Sequence, residues 1–242
     1  MPGGKIIVTR PEPDGTAFGA LAREYGLEPI FSPAMRIEIV DAPLGPGGLD
    51  DIAALAFTSA NGVRAFAANT EDRKKPVFAV GAATAAAARE AGFKSIEEAQ
   101  GETRSLADSI ENANRRVPLC GAVLHVAGRD HAGDLVRDLE ERTIRARRLV
   151  LYAAVPVERL SVEAIAAIEN GGVWISLFSP RSAAIFMRQA EAVGVADRLR
   201  SCAAACLSLA VAKEIDGFGD VVIAPQRRAD ALLAAIARHA AL

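Results

Sequence analysis

The sequence predicts an α/β protein with two similar parallel-sheet domains, of the flavodoxin-like or Rossmann-like kind. Short apolar runs such as KIIVT (5–9), LAFT (55–58) and VWISLFS (173–179) alternate with segments whose apolar residues recur every three or four positions. Strands that alternate with helices favour βα units and a parallel sheet. The runs are almost continuously apolar, as expected for strands that are covered on both faces.

The elements follow one another along the whole chain. Strands are predicted at 5–9, 55–58, 76–81, 122–128, 173–179, 204–208 and 220–225. Helices are predicted at 16–26, 63–70, 84–93, 134–142, 182–194 and 229–242. Asp14 and Thr84 are suitable helix N-caps, while Gly26 and Gly92 follow the last turn of a helix.

An internal repeat indicates that two halves of the chain have similar structures. FTSANGVRAF (57–66) matches FSPRSAAIFM (178–187), and VTRPEPDG (8–15) resembles VAGRDHAG (126–133). Two further blocks, 80–93 with 207–218 and 99–110 with 224–236, recur in the same order at similar distances. The ordered set predicts one α/β unit for each half.

Composition excludes several classes of protein. The chain has 242 residues and a net charge of −2, so no basic excess favours nucleic acid or an anionic membrane as a partner. It contains no apolar run of signal-peptide or membrane-spanning length, and we therefore expect a cytoplasmic protein. Dinucleotide and nucleoside-triphosphate motifs are absent, and the cysteines and histidines lack metal-ligand spacing. A zinc site, a dinucleotide site and a nucleoside-triphosphatase site are therefore not favoured.

Small polar residues follow most of the predicted strands. Ligands of a parallel α/β sheet bind beyond the carboxyl ends of its strands. The candidates are Thr9, Arg10, Thr58, Ser59, Asn61, Gly81, Thr84, Gly128, Arg129, Ser179, Ser182 and Ser208. Free N–H groups and the helix dipole favour an anion at a helix N-terminus, so these turns predict a site for carboxylate or phosphate. The alternative is that each hydroxyl only caps its helix.

Two features of the segment 141–156 have open interpretations. Tyr152, one of two tyrosines, ends the apolar run RLVLYAAVP (148–156). Its phenol is either an interfacial group in water or a proton donor in a cleft. The preceding charge run ERTIRARR (141–148) is typical of a solvated helix end that leads into a strand.

Taken together, the motifs resemble those of the uroporphyrinogen-III synthase family over nearly the whole chain. The resemblance is carried by VTRPEPDG (8–15), AFTSANGVRAF (56–66), FAVGAATAAAAREAGF (78–93), LVLYAAVP (149–156), LFSPRSAAIF (177–186) and CLSLAVAKEI (206–215). It implies a discontinuous domain of residues 1–34 with 156–242 and an inserted domain of residues 38–150, with antiparallel linker strands near 35–40 and 149–154.

The resemblance also implies a reaction and a site. The family cyclises hydroxymethylbilane to uroporphyrinogen III, without metal or organic cofactor, and it would do so here in a cleft between the domains. Tyr152 would assist loss of the hydroxyl group. Substrate-binding residues would be Arg10, Thr58, Ser59, Asn61, Thr84, Ser179, Ser182 and Ser208. In the second repeat, Ser208 and Val211 replace Gly81 and Thr84, which puts a hydroxyl role there in doubt.

The expected partner is the small-molecule substrate, with neither nucleic acid nor membrane. A monomer is expected, and a transient contact with hydroxymethylbilane synthase is left open. Two other functions are compatible with the sequence. One is a non-catalytic two-domain protein that binds a tetrapyrrole or a small anion, and the other is a flavodoxin-like protein that binds flavin.

Overall fold

The computed structural model describes residues 4–40, 42, 44, 47–99, 103–130 and 133–239. The strands are β1 (Lys5–Val8), β2 (Glu28–Phe31), β3 (Met35–Ile39), β4 (Ile52–Phe57), β5 (Val77–Val80), β6 (Ile96–Ala99), β7 (Ala122–Gly128), β8 (Ala146–Pro156), β9 (Val173–Leu177), β10 (Ala203–Cys206) and β11 (Asp220–Ile223). The helices are α1 (Asp14–Glu24), α2 (Ala60–Asn69), α3 (Gly81–Glu90), α4 (Thr103–Arg116), α5 (Leu135–Glu140), α6 (Val162–Asn170), α7 (Pro180–Ala192), α8 (Leu209–Ala212) and α9 (Ala229–His239). The predicted α/β class with parallel sheets is confirmed.

The chain divides into two compact units. The first comprises Met1–Arg36 and Val155–Leu242, and the second comprises Ile37–Ala154. The chain passes from one unit to the other within β3 and β8, which are neighbouring strands of one sheet. The second unit is therefore inserted into the first between two hydrogen-bonded strands.

The sheet of the first unit has the order β11-β10-β9-β1-β2. Its pairs are all parallel, and Ile7 of β1 lies opposite Ile175 of β9. Ile7 and Ile175 pack with α6 and α7 on one face, whereas Ile6 and Val8 pack with α1 and α9 on the other. Because both faces are covered, β1 is buried along its apolar length, which explains its continuous apolar run.

The sheet of the second unit has the order β3-β8-β7-β4-β5-β6, and β8 to β6 are paired in parallel. Leu55 and Phe57 of β4 face α2 and α3, while Ala54 and Ala56 face α4 and α5. The helices that cover the two faces of the sheet also present apolar side chains to it, and Phe66 of α2 is one of them. This strand is again buried on both sides.

The two halves of the internal repeat have the same strand order in their sheets. Repeat-related strands follow the order β8-β7-β4-β5-β6 in the second unit and β2-β1-β9-β10-β11 in the first. In the second unit, the strands after β4 are added toward one edge of the sheet (β5, then β6), whereas β8 follows β7 toward the opposite edge. The first unit has the same arrangement: β10 and β11 follow β9 toward one edge, and β2 follows β1 toward the other. The reversal lies between β4 and β7 in the second unit and between β1 and β9 in the first. Such a reversal leaves a crevice at the carboxyl ends of the two central strands.

Elements without a strong apolar pattern escape prediction from the sequence. Strands β2 and β6 have the sequences EPIF and IEEA, and both are sheet edges, where polar side chains and proline are tolerated. The long polar helix α4 is a further addition to the predicted elements.

Thr84 is not an N-cap, because α3 begins at Gly81, whose positive φ of 74° starts the turn. Asp14 is the first residue of α1 rather than its cap. The predicted helix end at 240–242 lies outside the described residues.

Arg73 joins the ends of two helices in the second unit. Its Nε donates a hydrogen bond to the carbonyl of Ala91 at the end of α3 (2.7 Å). Its Nη1 and Nη2 donate to the carbonyls of Thr70 (2.7 Å) and Ala67 (3.2 Å) at the end of α2. The guanidinium also lies over the ring of Phe93, 5.2 Å from the centroid. One side chain thus satisfies carbonyls that a helix end leaves unpaired.

Replacing Arg73 with Gln should lower the free energy of unfolding by about 1–3 kcal/mol, because several partly buried carbonyls lose their donor. Urea unfolding followed by circular dichroism measures the change. The matched control is Lys74→Gln, at the exposed neighbouring position, which should change stability by less than about 0.5 kcal/mol. Equal effects at the two positions would show that the helix-end bonds contribute nothing.

Candidate functional site

The turn between β4 and α2 is built around a helix cap. Strand β4 ends at Phe57, and Ser59 takes an extended backbone conformation (φ −155°, ψ 144°) before the helix starts at Ala60. The Ser59 Oγ accepts a hydrogen bond from the backbone N–H of Asn61 (3.2 Å). Capping by Ser59 therefore ends the strand and starts the helix at the carboxyl edge of the sheet.

Tyr152 lies against this turn. Its phenol lies beside the side chain of Ser59 and the backbone of Gly128. Gly128 ends β7, and a Cβ built on it would lie 2.8 Å from Cε2 of the tyrosine ring, so only glycine leaves room for the ring. The N–H of Arg129 donates to the carbonyl of Tyr152 (2.8 Å). Three segments that are far apart in the sequence thus contribute to the surroundings of one phenol.

The environment keeps the phenol protonated. Burial is the largest influence and raises the pKa of Tyr152 above its ordinary value, while hydrogen bonds with Ser59 and Gly128 oppose the rise. A hydrogen bond that lowers the pKa of a phenol is one that stabilises its anion. The group therefore carries its proton at neutral pH and lies beside donors that would stabilise the phenolate left after proton transfer.

The other candidates of the second unit are also at the carboxyl edge of its sheet. Thr58 Oγ1 lies 3.4 Å from Nε2 of His125, which is buried in β7. The Asn61 Oδ1 accepts a hydrogen bond from Nη1 of Arg64 (3.1 Å). Thr84 is buried in the first turn of α3, after the neighbouring strand β5. Ser59 lies beside Tyr152, Thr58 and Asn61 belong to the same turn as Ser59, and Thr84 belongs to the adjacent turn.

Arg10 occupies the corresponding place in the first unit. It follows β1, and its guanidinium lies over the ring of Phe178, 4.7 Å from the centroid. Its Nη2 forms an ion pair with Oδ2 of Asp14 (3.1 Å). The preceding Thr9 is buried and donates from Oγ1 to the carbonyl of Ser176 on β9 (2.6 Å). Arg10 is therefore a partly buried, oriented cation at the strand reversal.

The three serines of the first unit have different roles. Ser179 and Ser182 form a reciprocal capping box at the start of α7: the Ser182 N–H donates to Oγ of Ser179, and the Ser179 N–H donates to Oγ of Ser182 (both 3.1 Å). Ser182 is buried. Ser208 precedes α8, but its side chain makes no capping hydrogen bond. Capping thus accounts for Ser179 and Ser182 and leaves the Ser208 hydroxyl without that role.

Sequence reasoning misses Arg148. Its Nη2 donates hydrogen bonds to the carbonyls of Gly128 (2.7 Å) and Arg129 (2.9 Å). The charge run that contains it predicts only a solvated segment, because a run of arginines carries no signal of which carbonyls it will reach.

A metal is not indicated by this arrangement. Within the described ranges, no group of three or more histidine, cysteine, aspartate or glutamate residues is placed to hold a metal ion. The groups at the carboxyl edge of each sheet are instead hydroxyls, a phenol, backbone amides and arginines. Such groups bind carboxylates and exchange protons.

Comparison with known proteins identifies similar sequences and folds. The family model described as "Uroporphyrinogen-III synthase HemD" matches residues 16–234. A mutant uroporphyrinogen III synthase from the extremely thermophilic bacterium Thermus thermophilus is 20% identical, with a TM-score of 0.56 and 99% of each chain covered. The uroporphyrinogen-III synthetase from Helicobacter pylori is 15% identical, with a TM-score of 0.58, and the match covers 96% of this chain and 97% of that one. No curated protein matches significantly.

Replacing Ser182 with Ala should lower the free energy of unfolding by about 1 kcal/mol, because the Ser179 N–H loses its acceptor, the Ser182 Oγ, while the Ser182 N–H still donates to Oγ of Ser179. Ser208→Ala is the control and should change it by less than about 0.5 kcal/mol, since that hydroxyl caps nothing. Urea unfolding of both variants provides the comparison. Equal stability of Ser182→Ala and the parent chain would rule out a structural role for the box.

Proposed function

The chain belongs to the uroporphyrinogen-III synthase family, whose model matches residues 16–234, and from that premise we propose how its residues carry out the family's reaction. The chain cyclises hydroxymethylbilane, a linear tetrapyrrole, to uroporphyrinogen III. Water is lost, the ring closes, and the terminal pyrrole is inverted. The site must therefore release a hydroxyl group and hold a flexible chain in one folded conformation.

The first chemical step needs a proton. The hydroxymethyl group leaves as water once its oxygen is protonated, and the C–O bonding pair departs with that oxygen. The pyrrole nitrogen supplies electrons, so an electrophilic azafulvene remains. The substituted carbon of the terminal ring then attacks it and forms a spiro intermediate. Attack at that carbon, rather than at the free one, is a matter of conformation, and the protein's main contribution is positioning.

Tyr152 is the proposed proton donor. The observation that carries this assignment is geometric: the phenol packs on the backbone of Gly128, where a Cβ would lie 3.2 Å from its oxygen, and beside the side chain of Ser59. Like an ordinary tyrosine, it is protonated at neutral pH and has a proton to give. Ser59 and Gly128 act against the burial that raises the pKa of the phenol, so they favour the phenolate that forms as the proton leaves. The Ser59 hydroxyl therefore serves both as the cap of α2 and as support for the donor.

The remaining candidates are proposed to bind the carboxylates of the substrate. Every pyrrole carries an acetate and a propionate, so anion-binding groups are needed at several places. Helix N-termini follow β4, β5 and β9, and Arg10 adds a full positive charge after β1. Thr58, Asn61, Thr84, Ser179 and Ser182 lie in or beside these turns, and Ser208 lies in the turn after β10. Because many weak contacts share the task, loss of any one of them should be tolerated.

Several finer features stay predictions. The substrate of this family is a small molecule, whereas a monomeric state, a cytoplasmic location, the lack of nucleic-acid binding and a transient contact with hydroxymethylbilane synthase rest on the sequence alone. Over the described ranges, no helix has the length and apolar character needed to cross a membrane.

The reaction can be tested in a coupled assay. Porphobilinogen deaminase generates hydroxymethylbilane in situ, the protein is added, and the products are oxidised and separated as porphyrin isomers. Without catalysis, the bilane closes to the symmetric type I isomer. We expect type III isomer in proportion to the protein added. Type I alone, from folded protein, would favour a non-catalytic tetrapyrrole-binding protein.

Tyr152→Phe should lower kcat about 10- to 100-fold, because the proton donor is lost while the positioning groups remain. Binding of the product should change little, since the ring is kept. The matched control is Tyr25→Phe at the other tyrosine, which lies at the end of α1 and should leave the rate unchanged. The same assay measures both variants, and a full-rate Tyr152→Phe enzyme would remove the assignment.

A further inference from the structure

Arg148 is bonded to the backbone on which Tyr152 rests. Its Nη2 donates to the carbonyls of two consecutive residues, Gly128 (2.7 Å) and Arg129 (2.9 Å). These residues lie where β7 ends and its pairing with β8 becomes irregular, since the register shifts between Ala127 and Gly128. At such an irregularity the regular ladder no longer fixes the backbone, and side-chain donors take over that function.

The same two residues determine where the phenol lies. The Arg129 N–H donates to the carbonyl of Tyr152 (2.8 Å). Gly128 has no side chain, so the tyrosine ring lies directly on its Cα. A Cβ at that position would be 3.2 Å from the phenol oxygen itself. A small displacement of this backbone would therefore move the phenol.

We propose that Arg148 is a positioning residue of the reaction: by holding the carbonyls of Gly128 and Arg129, it fixes the backbone that orients the phenol of Tyr152. The inference rests on the proposed role of Tyr152 as proton donor. Arg148 acts through the tyrosine and needs no contact with the substrate. Both bonds come from one nitrogen, Nη2, whose two N–H groups have fixed directions in the planar guanidinium, whereas an ammonium is a rotatable point charge.

The adjacent arginine provides a matched control. Arg147 forms a half-exposed ion pair with Asp51, at 2.6 Å between Nη2 and Oδ1. It lies on the same strand, carries the same charge, and makes no hydrogen bond to residue 128 or 129 in the described part of the chain. Replacing either arginine with Gln removes one positive charge. Only the change at Arg148 removes the two backbone contacts.

The first measurement is a double-mutant cycle in the coupled assay. Arg148→Gln should lower kcat about tenfold, with KM within about twofold of the parent value. In the Tyr152→Phe background the same change should cost almost nothing, because the group that it positions is gone. Arg147→Gln should have no effect in either background. Arg148→Lys should recover part of the rate, and it replaces Arg148→Gln in the cycle if the glutamine variant does not fold.

A second measurement does not depend on turnover. In a Tyr25→Phe background, Tyr152 is the sole tyrosine, and its ionisation can be followed by ultraviolet absorbance of the phenolate. Burial raises the pKa of this phenol, and loosening of its support should admit water and shift the pKa back toward its ordinary value of about 10. We expect this shift in Arg148→Gln and not in Arg147→Gln.

Three results would overturn the inference. They are an unchanged titration, an equal loss of kcat in both tyrosine backgrounds, and a raised KM with normal kcat, which would indicate direct binding of substrate. If the parent protein makes only type I isomer, the proposed function fails, while the titration still decides whether Arg148 positions Tyr152.

Discussion

The parallel pairing of two central strands in each unit is the constraint on which the arrangement depends. Strands β4 and β7 are neighbours, and the chain leaves them in opposite directions across the sheet. Helices that follow such strands begin on opposite faces, so backbone and side chains diverge above the strand ends and leave space. The pair β1 and β9 repeats this geometry in the first unit. Tyr152 and Arg10 lie at these two places.

The hydroxyl groups at the strand ends have a structural function before they have a chemical one. Ser59 caps α2, and Ser179 with Ser182 caps α7. A capped helix presents its remaining N–H groups in a fixed direction, which suits a ligand with many carboxylates. In the proposed function, stability and binding therefore use the same residues, and a change at one of them would alter both. This overlap agrees with a reaction in which positioning matters more than any single catalytic group.

The surroundings of Tyr152 combine two opposing influences on one phenol. Burial disfavours the anion, and hydrogen bonds with Ser59 and Gly128 favour it. The balance leaves a group that is protonated at rest and supported after it gives up the proton. Such a donor differs from a solvated tyrosine, whose anion is stabilised by water alone. Arg148 donates a hydrogen bond to the Gly128 carbonyl and, in the proposed role, supports this balance from outside the immediate surroundings of the phenol.

Sequence alone determined the α/β class, the repeat and the strand ends that carry the site, because these depend on local apolar patterns and on turn residues. The rule that the carboxyl ends of parallel strands meet at one edge indicated Thr58 and Ser59 as candidates, whereas Tyr152 was assigned to the same site only through the family resemblance. The polar edge strands β2 and β6 gave too weak a signal to be found. Only the tertiary structure showed that Ser182 is a buried cap and that Arg148 holds the backbone beneath Tyr152. Those roles depend on which carbonyl or hydroxyl comes within about 3 Å of a side chain, and that distance is fixed by packing between strands far apart in the sequence.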